Sequence, residues 1–389
     1  MPVQLPFEQS HPLQVPPLQQ RLQREGPVHR VRTATGDPAW LVTGYDDVRS
    51  LLGDDRLGRA HPNPDLAART NRSALFGGPM GNLATERADH SRMRSLLQPH
   101  FTPARMRAFR PRIENLTAQL LDDLARQGPP SDLHTTLALP LPILVICELL
   151  GVPYEDRDRF RSWTQAAADI HDQERSEQGL GELFVYGLEL VAAKRRAPGD
   201  DVISRLCRTE GVGDEEAAML AMALLFAGHE TTVVQLGLGA LLLLTEPDRW
   251  ARLHKNPDLL PGAVEEMLRL PGKATGGIPR YARTRFVLHD VTIEAGDLVL
   301  LDSAAANHDP VAFPHPERFD PQRRNVSHLT FGHGIRYCIG APLARLELQT
   351  AFAQLTDRFP AMALAVPLEG LRLRTDVLTG GLTELPVRW

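Results

Sequence analysis

The sequence predicts a mainly α-helical protein with a small β-sheet region. Helical periodicity dominates from His90 to about Pro360, one apolar stretch is long enough for a helix of roughly 45 Å (Asp214 to Leu244), and short strand-like segments occur near both ends of the chain. The 389 residues show no linker and no internal repeat. A single domain over residues 1–389 is therefore predicted, with residues 1–20 as an extended N-terminal segment.

The elements follow from periodicity and turn signals along the chain. A turn-rich Thr-Gly-Asp-Pro segment between two β-prone stretches predicts an early hairpin, and a long loop is expected over Gly53–Asn82. The predicted strands are Val28–Thr33, Trp40–Thr43, Arg285–Ile293, Leu298–Leu301 and short strands within Met362–Val387. The predicted helices are Tyr45–Leu52, Arg92–Leu97, Pro103–Arg126, Leu141–Leu150, Tyr154–Ile170, Gly179–Arg195, Asp200–Arg208, Asp214–Leu244, Asp248–Leu253, Leu260–Leu270 and Ala341–Phe359.

The long helix predicted over Asp214–Leu244 is apolar on nearly every face. Such a helix either crosses a membrane or forms the axis of a large core. His229 and Glu230 lie at its middle, where a membrane tolerates charge least, so the core helix is the better interpretation. Buried polar residues at that position need partners or a function.

Composition excludes several classes of protein. A net charge of −5 indicates neither a nucleic-acid surface nor a polyanionic tail. The segment Met1–Pro17 resembles neither a signal peptide nor a membrane anchor. Three scattered cysteines, Cys147, Cys207 and Cys338, do not suit a disulfide framework or a zinc site, so a cytoplasmic location is expected.

The segment around Cys338 is the strongest candidate site. It reads Phe331-Gly-His-Gly334-Ile-Arg336-Tyr-Cys338-Ile-Gly340, so that glycines and an aromatic residue crowd the cysteine into a tight loop. A helix is predicted immediately afterwards, and its N-terminal dipole favours a thiolate over a thiol. A thiolate suits haem iron as an axial ligand, and Arg336 suits a haem propionate. The alternative is a buried cysteine in a glycine-rich turn.

This decapeptide resembles the haem-ligand loop of the cytochrome P450 family, Phe-x-x-Gly-x-Arg/His-x-Cys-x-Gly. The resemblance covers the chain from about Pro27 to its end and fits the soluble bacterial type in length. It implies the cytochrome P450 fold, with haem between the long central helix and the cysteine loop. Glu266-Met-Leu-Arg269 resembles the family's Glu-x-x-Arg, in which both side chains share one helix face, and implies a structural pair. A solvated salt bridge is the alternative.

A second motif lies at the middle of the long helix. Ala227-Gly228-His229-Glu230-Thr231 resembles the family's oxygen-activation motif, Ala/Gly-Gly-x-Asp/Glu-Thr. Cleaving the O–O bond requires two protons, and an acid beside a hydroxyl can relay them. The resemblance implies that Glu230 and Thr231 are catalytic, with Ala227 and Gly228 against the cofactor. The alternative is a polar kink in which the threonine bonds back to the helix.

Haem propionates need cationic partners in a mostly apolar site. His90 and Arg94, at i and i+4, match the family's His-x-x-x-Arg pair for a propionate, and Arg280 falls where the family usually places another arginine. The alternative for each is a surface cation. Many relatives carry an acidic residue and prolines just before the histidine, whereas this chain reads Thr85-Glu86-Arg87-Ala88-Asp89, which bears on the loop that covers the pocket.

The resemblance implies a haem-thiolate monooxygenase with haem b (iron protoporphyrin IX). It would activate dioxygen with NAD(P)H-derived electrons from a separate ferredoxin and ferredoxin reductase. The expected reaction is hydroxylation or epoxidation of a small organic substrate, such as a macrolide, polyketide or peptide intermediate of antibiotic biosynthesis, either unattached or bound to a carrier protein. A monomer without nucleic-acid or membrane partners is expected.

Several small or aromatic residues are candidates for the substrate pocket. They are Phe76, Ala223, Ala227, Gly277 and Ile278, with further walls at 274–278 and 378–382. Three other functions remain open at this point. A peroxide-driven peroxygenase would lack the acid–alcohol pair, a haem sensor would need no proton relay, and a helical scaffold would bind no cofactor.

Overall fold

The computed structural model describes residues 3–9, 11–271, 276–324, 327–375 and 377–389. Helices predominate over short strands among them, which confirms the mainly helical fold class. The helices are α1 (Pro17–Glu25), α2 (Tyr45–Leu52), α3 (Glu86–Leu97), α4 (Pro103–Gln127), α5 (Pro140–Leu150), α6 (Arg157–Ala167), α7 (Gln173–Arg196), α8 (Val202–Arg208), α9 (Asp214–Leu244), α10 (Pro247–Lys255), α11 (Leu260–Arg269), α12 (Ser303–Ala306) and α13 (Ala341–Arg358). The strands are β1 (Val3–Gln4), β2 (Val28–Arg32), β3 (Pro38–Val42), β4 (Leu57–Gly58), β5 (Ser131–Asp132), β6 (Ile278–Ala282), β7 (Phe286–Leu288), β8 (Val291–Ile293), β9 (Leu298–Leu301), β10 (Ala363–Leu364) and β11 (Pro386–Arg388).

The chain divides into two compact units, and the single domain expected over residues 1–389 remains a prediction. The first unit comprises residues 1–92 and 261–338 and contains a six-stranded sheet in the order β1-β2-β3-β9-β6-β4. The early hairpin is confirmed, because β2 and β3 pair antiparallel from Val28 opposite Val42 to Arg32 opposite Pro38. Strand β9 is buried along its whole length and pairs parallel with β3, as expected for a strand at the centre of a sheet.

The N-terminal segment corrects one prediction. Residues 1–20 were expected to be extended, but α1 begins at Pro17, where proline's fixed φ suits the first turn of a helix. Gln19 of α1 is buried and donates a hydrogen bond to Asp302, and Gln23 donates to the carbonyl oxygens of Thr43 and Ala305. These bonds attach α1 to the rest of the first unit.

The second unit comprises residues 93–260 and 339–389 and is organised around α9. The predicted bounds of this helix, Asp214–Leu244, are those observed, and α5, α7, α8, α10 and α13 all pack against it. By length and composition α9 is apolar enough to cross a membrane, but 61% of its most apolar 18-residue stretch is buried inside the structure. The core-helix interpretation agrees with that burial.

Further elements differ from the predictions. Helix α3 begins at Glu86 rather than Arg92, since no proline interrupts Glu86–Asp89. Strand β6 was not predicted, although Arg280 lies in it. The expected loop 53–82 contains the short strand β4 and a 3-10 turn at Pro64–Leu66.

Candidate active site

The loop before Cys338 is built by short-range hydrogen bonds. The N–H of Cys338 donates to the carbonyl oxygen of Phe331 at 2.8 Å, and the N–H of Tyr337 donates to Gly334 at 3.1 Å. Gly334 has a φ of 69°, and a Cβ there would lie 3.0 Å from the Cα of Gly53, so glycine is needed for both backbone conformation and space. The loop presents Cys338 as an exposed residue.

A helix begins directly after this loop. Gly340 is the N-cap residue of α13, and Pro342 lies in its first turn. Cys338 therefore precedes a helix N-terminus by a few residues, as the sequence predicted. The partial positive charge at such a position favours a negatively charged sulfur.

Glu86 is the centre of a buried charge cluster in the first unit. Its carboxylate accepts hydrogen bonds from the N–H groups of Arg59 (2.8 Å) and Ala60 (3.1 Å) and forms ion pairs with Arg283 and Arg336. Burial alone would raise the pKa of Glu86, but these N–H groups and the two guanidinium groups together lower it. Glu86 thus remains a carboxylate at neutral pH and fixes the side chain of Arg336.

Arg280 lies beside this cluster, and most of the charges that act on it are positive. Its pKa is lowered to about 9, first by burial and then by repulsion from Arg59 and Arg336, which Glu86 offsets only in part. Arg280 and Arg336 line one polar pocket of the first unit together with His90. Three of the predicted propionate ligands are thus brought together, while Arg94 lies one helical turn beyond His90 on α3.

These residues fit a group that carries carboxylates. An anion in the pocket would reverse the repulsion that lowers the pKa of Arg280, because opposite charge stabilises the charged form. The propionates of haem have this chemistry. Sequence analysis assigned neither Arg59 nor Glu86 to the site, because neither belongs to a motif used above and their contact joins segments 27 residues apart.

Glu266 and Arg269 form a buried pair on α11. Arg269 donates from Nε to Oε1 of Glu266 at 2.6 Å and from Nη2 to Oε2 at 2.9 Å. Its remaining N–H groups donate to the carbonyl oxygens of Asn307, Pro316 and Arg318. The pair therefore fixes the segment that leads towards the cysteine loop and is not a solvated salt bridge.

The acid–alcohol motif lies on α9 in the second unit. The side chain of Glu230 is 3% exposed, whereas Thr231 is exposed and its hydroxyl donates to the carbonyl oxygen of Ala227 at 3.1 Å. This back-bonding leaves the lone pairs of the threonine oxygen available as acceptors. A Cβ at Gly228 would lie 2.6 Å from Cδ1 of Ile146, so α5 occupies the space that the missing side chain leaves.

A stripe of exposed residues runs along the otherwise buried α9. Its members recur every fourth residue and therefore share one helix face. They are Met219, Ala223, Ala227 and Thr231. Three of them, Ala223, Ala227 and Thr231, were predicted as pocket, cofactor or catalytic residues.

The remaining pocket candidates lie in the first unit, in the segment 378–382 of the second unit or outside the described residues. Phe76 stacks under the guanidinium group of Arg59 at 5.3 Å. Gly277 has a φ of 100°, and a Cβ there would lie 2.5 Å from the carbonyl oxygen of Leu301, so the backbone explains this glycine without a roomy cavity. Ile278 begins β6, and Ala274 and Thr275 lie outside the described residues.

Comparison with known proteins identifies the family. The family model for cytochrome P450 matches residues 194–363. Pentalenolactone synthase of Streptomyces exfoliatus is 44% identical over 98% of this chain and 98% of its own. Mycinamicin IV hydroxylase/epoxidase of Micromonospora griseorubida is 39% identical over 99% and 98% of the two chains. The solved structure of a substrate-free pimaricin epoxidase superposes with a TM-score of 0.89 at 40% identity, over 100% and 99% of the chains.

The fold and the site therefore define a haem-thiolate oxygenase. The chain belongs to the cytochrome P450 family, of the soluble bacterial type. It is a monooxygenase that uses haem b and dioxygen, with electrons supplied from NAD(P)H through separate redox partners. The peroxygenase, sensor and scaffold alternatives are set aside by relatives named as hydroxylases, epoxidases and monooxygenases.

Replacing Arg280 should weaken haem binding without lowering the stability of the apoprotein. Arg280→Gln removes a charge-assisted bond to a propionate, worth about 1.5–3 kcal/mol, so haem transfer to apomyoglobin should accelerate roughly ten- to hundredfold. The same change relieves repulsion from Arg59 and Arg336, so the apoprotein should be at least as stable to urea as wild type.

Arg285→Gln is the matched control, because Arg285 is exposed and pairs with Glu294 at 3.3 Å. Its haem transfer should match wild type. If Arg280→Gln lost haem no faster than wild type, Arg280 would not bind the cofactor.

Proposed function

We propose that Cys338 supplies the thiolate ligand of haem iron and that Glu230 and Thr231 deliver the protons for cleavage of dioxygen. When bound, the haem supplies the redox chemistry that activates oxygen and transfers one atom to the substrate. One observation carries the proposal: an exposed cysteine lies between a hydrogen-bonded glycine turn and the N-terminus of α13. Such a site favours the thiolate that the chemistry requires.

His90, Arg94, Arg280 and Arg336 are proposed to hold the propionates. Phe331, Gly334 and Gly340 shape the cysteine loop, with Ala227 against the macrocycle, whereas Gly228 allows the close approach of Ile146 on α5. The lowered pKa of Arg280 supports the propionate assignment, since Arg59 and Arg336 repel its charge and an anion would offset that repulsion. Glu266 and Arg269 are assigned a structural role only.

Protons reach the dioxygen through side chains of α9. Burial raises the pKa of Glu230, but His229, Arg374 and Thr379 outweigh this effect, and the net pKa is lowered. Glu230 is therefore a carboxylate at neutral pH that takes a proton and passes it on. Thr231 can accept at its oxygen while its own proton is bonded to Ala227.

The substrate is proposed to be an intermediate of antibiotic biosynthesis, such as a macrolide, polyketide or peptide, that is hydroxylated or epoxidised. The names of the relatives support this class, since they include mycinamicin and 6-deoxyerythronolide B hydroxylases and a pimaricin epoxidase. Ala223 and Ala227 of the exposed stripe on α9, together with Phe76, Gly277, Ile278 and the segment 378–382, are the proposed lining. The substrate is either unattached or bound to a carrier protein.

The partners are proposed to be a ferredoxin and its reductase, and the enzyme is proposed to be a cytoplasmic monomer. Support comes from the soluble bacterial relatives, which match this chain over nearly their whole length. The net charge of −5 gives no reason to expect nucleic acid as a partner.

Replacing Cys338 should abolish the thiolate signature. The reduced, carbon-monoxide-treated Cys338→Ser variant should lose the thiolate-type Soret band, because the alcohol of serine is a much weaker donor than a thiolate. Cys147→Ser is the control, since burial raises the pKa of Cys147 to about 12 and keeps it a thiol. A variant without Cys338 that kept the band would refute the ligand assignment.

Replacing Thr231 should separate electron consumption from product formation. Thr231→Ala removes the acceptor hydroxyl, so the yield of product per NADPH should fall by roughly tenfold or more, with hydrogen peroxide accounting for the difference. Thr231→Ser retains the hydroxyl and should keep most of the coupling. Equal coupling in the alanine variant and wild type would show that the relay does not use Thr231.

The substrate class can be tested by a binding screen. Macrolides such as mycinamicin IV, polyene macrolides and cyclic peptides are titrated into the ferric holoenzyme, and a true ligand should displace water and shift the haem spin state. Simple fatty acids and camphor-sized terpenoids serve as comparison ligands. A shift confined to the comparison ligands would contradict the proposed class.

A further inference from the structure

The two carboxylate oxygens of Glu230 have different surroundings. Oε2 accepts a hydrogen bond from the Thr379 hydroxyl at 3.3 Å and lies 4.0 Å from Nη1 of Arg374. Oε1 has no hydrogen-bond partner within the described part of the chain. His229 lies 3.6 Å from it through Nε2, a distance for charge interaction rather than hydrogen bonding. Oε2 thus accepts a hydrogen bond, whereas Oε1 accepts none from the described residues and faces the imidazole of His229.

Both residues that hold Oε2 belong to a hairpin near the C-terminus, formed by residues 371–375 and 377–383 and here named the C-terminal hairpin. Arg374 donates its N–H to Gly381 at 2.8 Å, and Thr383 donates its N–H to Arg372 at 3.0 Å. Leu373 and Leu382 form a bridge between its two arms. Arg374 and Thr379 therefore belong to one hydrogen-bonded backbone unit.

The C-terminal hairpin packs directly on α9. Gly381 has a φ of 98°, and a Cβ there would lie 3.0 Å from Cγ2 of Val234, while a Cβ on Gly237 would lie 3.8 Å from Leu382. Glu230, Val234 and Gly237 are spaced by four and three residues and share one helix face. The hairpin thus meets the face of α9 that carries the acid.

The same hairpin is also paired with the turn between α6 and α7. The N–H of Leu378 donates to the carbonyl oxygen of Ala168 at 3.1 Å, and Asp169 forms an antiparallel bridge with Val377. The carboxylate of Asp169 is held by Arg175 at 3.0 Å and by the N–H of His171 at 2.9 Å. A displacement of this turn would therefore strain the hydrogen bonds that join it to the hairpin.

Other charged groups face Glu230 from neighbouring elements. His229 precedes it on α9, and its Nδ1 donates to the carbonyl oxygen of Leu225 at 2.6 Å. Burial lowers the pKa of His134, and the charges of Asp132, Arg374, Arg161 and Glu230 also act on it. Within the described residues, Arg374 is the cation of the C-terminal hairpin that lies within ion-pair distance of the acid.

We propose that Arg374 and Thr379 are positioning residues for Glu230. Through the C-terminal hairpin, their contacts with Glu230 depend on the position of the α6–α7 turn. Their contacts fix Oε2, so that Oε1 alone carries the transferred proton. Movement of the turn away from the hairpin would release Oε2 and change the proton affinity of the acid. This inference rests on the proposed role of Glu230 in proton delivery.

The test measures the protonation of Glu230 directly in the ferric holoenzyme. Its carboxyl band is identified in the infrared spectrum by its loss in Glu230→Gln and is then followed with pH. Arg374→Gln removes a cation that stabilises the carboxylate, so the titration midpoint should rise by about one pH unit. Thr379→Val should raise it by less. Arg372→Gln, in the same hairpin but exposed, should leave it at the wild-type value.

A second measurement tests the link to the turn. Arg175→Gln removes the cation that holds the carboxylate of Asp169 and should loosen the turn, so the infrared midpoint of Glu230 should shift in the same direction as in Arg374→Gln. A midpoint that stays at the wild-type value while the amide hydrogen of Leu378 exchanges faster would overturn the link. A midpoint in Arg374→Gln equal to that in Arg372→Gln would overturn the positioning role.

These outcomes are distinct from failure of the proposed function. Should Glu230→Gln keep the wild-type product yield per NADPH, Glu230 is no proton donor, and the inference about its positioning falls with that role. If Glu230→Gln uncouples the reaction but Arg374→Gln leaves the infrared titration midpoint of Glu230 unchanged, only the positioning inference is wrong. Support requires that the pH profile of coupling in Arg374→Gln moves in the same direction as its infrared midpoint.

Discussion

The burial of several arginines around one pocket is the constraint on which the propionate assignment depends. The guanidinium groups of Arg283 and Arg336 and the backbone N–H of Arg59 contact the carboxylate of Glu86, and burial together with repulsion from Arg59 and Arg336 lowers the pKa of Arg280 to about 9. A buried cation without a matching anion is costly unless a ligand completes the site. Haem propionates meet this requirement, so the electrostatics point to the same cofactor as the cysteine loop.

The sequence predicted the elements whose signals are local. The bounds of α9 and α2 were correct because apolar periodicity ends at recognisable flanking residues, Gly213 before α9 and Gly53 after α2. Strand β6 was missed because Pro279 argues against a strand. In the structure β4 pairs only with Tyr281 and Ala282, so Pro279 has no partner on that side that would need its N–H. The first turns of α3 were missed because Glu86–Asp89 is polar and shows no apolar spacing.

The site was predictable where its residues lie in short motifs and not where they depend on long-range packing. Spacing alone places Glu266 beside Arg269, and their two hydrogen bonds follow from the helix geometry. Arg59 and Glu86 are 27 residues apart, and their contact arises only when the β4 segment packs against α3. The same holds for Thr379 and Glu230, separated by 149 residues, since neither periodicity nor a motif joins a C-terminal hairpin to the middle of α9.

The contacts of the C-terminal hairpin affect how mutations can alter the substrate specificity of this enzyme. Residues 378–382 are proposed to line the pocket, and Thr379 within them also bonds to Glu230. A substitution that reshapes this wall therefore acts on the acid as well, because the hairpin meets α9 at Glu230, Val234 and Gly237. A mutation in this wall that changes which substrates fit would then also change proton delivery by Glu230.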